Sequence, residues 1–402
     1  MTQQYDIVIV GGGMVGATLA VALAEQADLS IAIVEAHLPP ALNENDLPDL
    51  RVSALTRASE ALLKNLAIWP HLMVNRISTF TDMKVWETQQ NNLHFDSAEI
   101  GEPLLGYIIE NRHIQQACIA RCAELNNIEI ISPTKPKSVT GNCLELENGT
   151  TLVADLIVAA DGAHSLLRDW AGISTKGWDY GQTAIVCTVT TSQQHQQTAR
   201  QRFLAEGPLA FLPLANPHQC SIVWSNSTEE AELLCQLDDE EFKSVLAKAF
   251  ESNLGEITDI SQRASFPLAL RHAEKYVKSG FALVGDAAHT IHPLAGQGVN
   301  IGFLDATTLA EIVIEAHQKG RNMGSLHTLN KYQRRRRGDN IAIQMTMDIF
   351  KRTFGNELIP VRWARRLGLQ CVNNNRLLKK MLMHQASGHR FSNPKLSTLK
   401  LK

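Results

Sequence analysis

The chain opens with two short, unbroken apolar runs, at 5–10 and 30–34, on either side of a stretch of Ala and Leu at 17–24. Short apolar runs bounded by turn residues predict strands, and the Ala/Leu stretch between them predicts a helix. A second helix is expected at 57–66. Between 80 and 98 the pattern alternates (Met83, Val85, Trp86; Leu93, Phe95), which predicts strands. Residues 111–125 are predicted helical and are followed by short strands. From about 179 to 276 strands dominate, at 183–191, 200–203, 210–213 and 220–225, with one helix at about 240–251. After Asn300 the prediction is helical to about residue 386, broken near Pro360.

The first strand runs directly into Gly11-Gly12-Gly13-Met14-Val15-Gly16, and Glu35 closes the second strand nineteen residues after Gly16. Strand, glycines, helix, strand and acid in this register form a dinucleotide fingerprint. Gly11 makes the tight turn, Gly13 lets the backbone approach a pyrophosphate, and Gly16 lets helix and strand pack closely. Glu35 is placed to hold a ribose 2′-hydroxyl, so an adenosine half without a 2′-phosphate is expected.

Two further turns extend this pattern. Residues 283–300 place Asp286 after Gly285 at a strand end, then run through Pro293 and Ala295-Gly296-Gln297-Gly298 to a helix start near Val299-Asn300. A carboxylate there can accept from sugar hydroxyls, and the glycines open backbone N–H groups to a flat ligand. Residues 155–168 read as a strand ending in Asp161-Gly162, with Ser165 and Arg168 beyond. Three such turns spread along the chain predict one long dinucleotide bound in extended form.

With these motifs the chain resembles the group A flavoprotein monooxygenases, the para-hydroxybenzoate-hydroxylase-like family. Within it, the FAD-dependent hydroxylases of ubiquinone biosynthesis are the nearer likeness. That likeness is carried by residues 49–55, 106–111, 207–214, 266–268, 271–273 and 285–300, and covers roughly residues 4 to 385. Residues 86–88, 95–99 and 103–107 look most like the late hydroxylase acting on demethoxy-ubiquinol. One departure is Ala159, where the family usually has glycine. The resemblance implies an α/β (α+β) fold with a discontinuous Rossmann-like FAD-binding domain (1–80, 99–178, 277–340). An inserted, mostly antiparallel substrate domain (81–98, 179–276) and a basic helical C-terminal region (341–402) complete it.

The same resemblance implies FAD reduced by NAD(P)H, with dioxygen as co-substrate. Oxygen then passes through a flavin hydroperoxide to the ring of a polyprenylated phenol or quinol. Gly11, Gly13, Gly16, Glu35, Arg51, Arg112, Asp161, Asp286, Gly296, Gln297, Gly298 and Asn300 are the expected FAD contacts. Phe211, Pro213 and Pro293 are the expected substrate wall, although 211–214 also reads as a core strand. His272, His289 and His292 lie near motif residues, each readable as a structural histidine, and His292 is the candidate acid–base group. Alternatives are a sibling hydroxylation step, a reductase of the same fold, or a non-catalytic scaffold subunit of a quinone-making assembly.

Composition adds less, being ordinary at 402 residues with 44% hydrophobic and 20% charged. No signal peptide and no membrane-spanning run are expected, which suggests a cytoplasmic protein, peripheral at most on the inner membrane surface. Seven scattered cysteines (Cys118, Cys122, Cys143, Cys187, Cys220, Cys235, Cys371) suggest reduced thiols, and no metal site is expected. Charge is lopsided: residues 331–402 hold 17 Lys+Arg against three acids, in a chain whose net charge is −3. Arg334 to Arg337, with amphipathic stretches after them (Val361, Trp363, Leu367; Leu377, Leu378, Met381, Leu382), suggests an anionic membrane surface or protein partners, or a solvated face. No nucleic-acid motif accompanies the charge. Oligomeric state is left open.

Overall fold

The computed structural model of the chain describes residues 1–43, 46–88, 91–290, 298–354, 375–388 and 394–397. Expectations for Pro360, Val361, Trp363, Leu367, Cys371, His292, Pro293, Gly296 and Gln297 fall outside these residues.

Two large sheets organise the molecule. The first is parallel at its centre, in the order Phe281–Leu283, Thr151–Ala159, Thr2–Val10, Ile31–Val34, Ile128–Ile131. Its inner strands are apolar on both faces, as a sheet covered on both sides requires: all of Ile7 to Val10 and Ile31 to Val34 are buried. Helices Met14–Ala24 and Gly298–Gln318 pack on it and on each other. Val15 sits where a Cβ on Gly302 would come within 2.6 Å, so this helix pair approaches at van der Waals distance. An antiparallel hairpin, Pro136–Thr140 with Cys143–Leu146, extends one side through Thr151–Ala159.

The second sheet runs His289–Thr290, Ala264–Ala273, Thr175–Thr191, Gln219–Ser227, Pro208–Pro213, Thr198–Phe203, Asp82–Thr88, Asn91–Asp96. All these pairs are antiparallel except Thr198–Phe203 with Asp82–Thr88. Behind it lies a separate core of Trp86, Phe211, Trp224, Phe242 and Phe250. A small third sheet, Val52–Thr56, Gly106–Glu110 and Ser78–Phe80, stands between the two.

Two elements differ from the sequence expectation. The strand expected at 183 begins at Thr175, because Gly177 lets the backbone of Leu270 approach where a Cβ would lie 1.9 Å from its carbonyl oxygen. A helix at Thr228–Gln236 was not expected. Ser227 caps it by accepting from the Glu230 N–H at 3.2 Å, and Glu229 and Glu230 fill its first turn. The helix expected at 240–251 runs Asp239–Ala249.

Candidate functional site: an extended cleft at the strand ends

At the end of the first strand Gly11 has φ +106°, and a Cβ there would stand 2.3 Å from the Ala160 carbonyl oxygen. A Cβ on Gly16 would lie 2.0 Å from the Gly11 carbonyl oxygen. Gly13 differs: nothing lies within 4 Å of the space its Cβ would take. That open side faces the start of helix Met14–Ala24, which has no side-chain cap and no acid in its first turn. Its first N–H groups therefore point at free space beside a positive helix end, where a phosphate binds favourably. Glu35 is fastened to the same turn. Its Oε2 accepts from the Gly12 N–H at 2.6 Å and its Oε1 from the His37 N–H at 2.9 Å. Each oxygen keeps a second acceptor position.

The turn at Asp161 sits beside the first. Asp161 Oδ2 accepts from the Leu167 N–H at 3.3 Å, while its buried Oδ1 has no partner, and burial raises the carboxyl above the usual range. Arg168, buried just beyond, donates to the carbonyls of Ala163 and Ala287, both at 3.2 Å. It ties the Asp161 turn to the Gly285–Ala287 turn. Ala159 is the last residue of its strand, paired between Val10 and Leu283, and its methyl projects from the sheet face into the core, fully buried.

Asp286 is exposed by surface area, yet its surroundings raise its carboxyl above the usual range through burial, against the opposing charges of His289 and Arg51. Asp286 stands on the short turn Gly285–Ala287 that follows strand Phe281–Leu283. Arg51, also exposed, stands 5.7 Å from the Phe266 ring centre. Arg112 is engaged with Asp49 at 3.1 Å and Asp46 at 3.6 Å.

The head of helix Gly298–Gln318 borders this cleft. Asn300 is buried, and its side chain bonds within the protein: Nδ2 donates to Ala54 O at 2.8 Å, while Oδ1 accepts from Thr56 N at 3.0 Å and Ser59 Oγ at 2.7 Å. Its side-chain amide clamps the helix head to strand Val52–Thr56, and a ligand there meets backbone amides instead.

Beside that clamp lies an apolar cavity of about 110 Å³, between the small sheet and the second sheet, closed by helix Arg376–Ala386. Thr56, Phe80, Ile108, Ala210, Leu212 and Met383 contribute to its walls. Phe211 does not. It is fully buried on the other face of its strand, stacked on Phe250 with ring centres 3.6 Å apart. Side chains alternate along a strand, so Pro213 shares the Phe211 side and Ala210 and Leu212 take the cavity side. Phe211 and Pro213, expected as a substrate wall, therefore face away from this cavity.

Beneath the Gly285 turn is a buried charge cluster that sequence reading missed. Asp305 accepts from Arg336 Nε at 2.7 Å, Asn340 Nδ2 at 3.1 Å and the Gly285 N–H at 3.2 Å, and pairs closely with His289 Nε2. Burial works to raise the Asp305 carboxyl, but the charges of His289 and Arg336 outweigh it and hold it down at about 2. The arginine run is therefore no uniform solvated stripe. Arg334 and Arg335 are exposed, while Arg336 is only 2% exposed and neutralises Asp305. His289 and His272 are buried; burial, with the charges of His289 and Arg337, lowers His272 to about 4.

The family described as FAD binding domain matches residues 120–346, more than half of the chain. The 3-demethoxyubiquinol 3-hydroxylase of Escherichia coli is 37% identical over 96% of this chain and 99% of its own length. Ubiquinone hydroxylase UbiL of Rhodospirillum rubrum is 37% identical over 95% of this chain and 89% of its own. The chain belongs to the FAD-dependent hydroxylases of ubiquinone biosynthesis. In fold it is similar to p-nitrophenol 4-monooxygenase PnpA of Pseudomonas putida, with TM-score 0.78 and 17% identity over 97% of this chain and 99% of that one.

The residues present fit FAD: a first turn that is open at Gly13, an orphaned buried Asp161 oxygen, and the Asp286 carboxylate on the turn after strand Phe281–Leu283. Asp305 was not singled out from sequence, and neither the tie made by Arg168 nor the place of helix Arg376–Ala386 at the cavity was foreseen. Arg168 alone had a local signal, its place in the 155–168 motif.

Proposed function

We propose that this hydroxylase acts on the ring of a polyprenylated demethoxy-quinol, the substrate class named for its Escherichia coli relative. The observation that carries the reading is the apolar cavity abutting the Thr56–Asn300 clamp at the head of helix Gly298–Gln318. A flat apolar ring fits there beside the cleft, shielded from water. FAD, when bound, supplies the redox and oxygen-transfer chemistry, with NAD(P)H and dioxygen as co-substrates.

The chain's own residues bind, orient and exclude water. The open Gly13 turn and the first N–H groups of helix Met14–Ala24 hold the pyrophosphate, and Glu35 accepts from the adenosine ribose. Asp286 accepts from the sugar-like chain and Asp161 offers its unpaired oxygen. Arg51 lies near Asp286 and offsets its charge, and Arg112 steadies the 46–49 segment through its two aspartates. Gly298 and the backbone of Asn300 present N–H groups at the helix head.

The test is a mass-spectrometric quinone profile of cells lacking this protein, grown in air. Accumulated demethoxy-ubiquinone is the expected result. An accumulated earlier phenolic intermediate moves the enzyme to a sibling step, and an unchanged profile removes the reading.

A membrane-surface role has its own support. Helix Arg376–Ala386 turns Leu377 and Met381 outward at 79% and 69% exposure, while Leu382 and Met383 line the cavity. One helix thus joins an outward apolar edge to the wall of the substrate cavity. Among the described residues no helix is long and apolar enough to cross a bilayer.

A further inference from the structure

Strand Thr198–Phe203 places Ala199 and Gln201 on the face that Ala210 shares, with Gln201 opposite Ala210 on one neighbouring strand and Val85 on the other. Gln201 lines the apolar cavity and is only 6% exposed. Among the described residues its side-chain amide makes no hydrogen bond.

The other polar residues of the wall are already engaged. Thr56 Oγ1 bonds Ser59 Oγ at 3.2 Å, and Ser387 Oγ donates to Met383 O at 2.8 Å. Arg200 lies opposite Phe211, on the far face, and its guanidinium donates to His195 O at 2.7 Å and Thr198 O at 3.1 Å. Arg200 Nε also lacks a partner, but strand pairing turns that guanidinium to the far face, so on the cavity face Gln201 carries an amide without a protein partner among the described residues.

An amide that faces an apolar cavity without a protein partner is free to hydrogen-bond a ligand oxygen there. The amide can donate to a quinone carbonyl or accept from a quinol hydroxyl, so it suits either redox form of a neutral ring. A carboxylated ring fares differently, because the one cationic residue of the lining, Arg200, pairs opposite Phe211 and spends its guanidinium on the His195 and Thr198 carbonyls. Its carboxylate would be buried with no counter-charge, which is far more costly than burying a neutral oxygen.

We propose that Gln201 is a specificity-determining residue whose amide hydrogen-bonds a ring oxygen of an uncharged, carboxylate-free quinol or quinone. The inference rests on the hydroxylase reading above and names the substrate class of its cavity.

The experiment measures equilibrium binding to the FAD-loaded, oxidised full-length protein, read from perturbation of the flavin spectrum without turnover. The probes are 2-methoxy-1,4-benzoquinone as the neutral ring and 4-hydroxybenzoate as the carboxylated one. Gln201→Leu and Gln201→Met remove the amide at similar volume, and Gln201→Asn retains it. Both apolar variants are expected to bind the benzoquinone about 10- to 100-fold more weakly with unchanged FAD stoichiometry and Tm, and Gln201→Asn less weakly than either. Steady-state KM rises in parallel, while kcat changes less. Wild-type affinity for 4-hydroxybenzoate is expected to be at least about tenfold poorer than for the benzoquinone.

Unchanged benzoquinone affinity in both apolar variants overturns the proposal, and so does equal wild-type affinity for the two rings. Loss of FAD or of thermal stability in both also overturns it, by making Gln201 a structural residue. If the Gln201 dependence holds while cells lacking the protein keep a normal quinone profile, the pathway reading fails and this one stands. If the profile changes as expected while Gln201→Leu binds normally, only this inference fails.

Discussion

Gly11 and Gly13 stand two residues apart in one turn and are constrained for opposite reasons. Gly11 is needed by the protein, since φ +106° and the Ala160 carbonyl forbid a side chain. Gly13 has open space around it, so a side chain there would meet only a ligand. Gly11→Ala is therefore expected to lower Tm and abolish FAD retention, whereas Gly13→Ala keeps the Tm of the FAD-free protein and loses FAD alone. Calorimetry of apo protein with flavin stoichiometry separates them, and equal Tm losses would remove the distinction. Asp305 gives the second prediction at this scale. Asp305→Asn takes the buried charge partner from Arg336, leaving it the less buried Asp339 at 3.3 Å, and is expected to cost about 3 kcal/mol in denaturant unfolding. Because the folded carboxyl is held near 2, its contribution is complete above the unfolded value of about 4. It is lost as pH falls from there through about 2. An acid-unfolding curve identical in wild type and Asp305→Asn would contradict this. The glycines and Glu35 were legible because their spacing is local. Asp305 and Arg336 were not, since only the packing of two helices brings them together across 31 residues.

Strand Pro208–Pro213 shows at the element scale what apolar composition alone conceals. All but its first residue are buried, so its composition cannot say which face lines the cavity; pairing Arg200 with Phe211 and Gln201 with Ala210 decides it. Helix Leu326–Phe354 makes the same point for charge. Four consecutive arginines read as one stripe, whereas a helix sends successive residues in different directions, so Arg336 turns inward and Arg334 outward. Helix Arg376–Ala386 is the element where a membrane test belongs, since removing everything from residue 331 would also remove Arg336. Leu377→Ser with Met381→Ser is expected to weaken flotation with anionic vesicles at least about tenfold, each apolar side chain contributing on the order of 1.5 kcal/mol. Equal flotation would count against lipid contact at this helix. The start of helix Thr228–Gln236 was readable from Ser227 and its following acids, and the long strand run around it masked that signal.

Across the whole molecule, the alternation of strand-rich and α/β stretches announced two sheets, and three Gly-rich turns announced one extended ligand. What the pattern could not supply was how the sheets join. The segment from Phe281 to Thr290 answers this. Phe281–Leu283 is a strand of the first sheet, and His289–Thr290 pairs with Arg271 and His272 in the second. The Ala273 N–H also donates to Ala288 O at 2.8 Å. Asp305 and Arg336 then lock the underside of the link between them. The Gly285 turn at the end of the first sheet and one edge of the second are thus stitched by a handful of residues. A mechanical consequence follows. Because the stitches are backbone bonds, the turn that carries Asp286 cannot shift without pulling on strand Ala264–Ala273, and a disturbance at that sheet edge is felt at the turn.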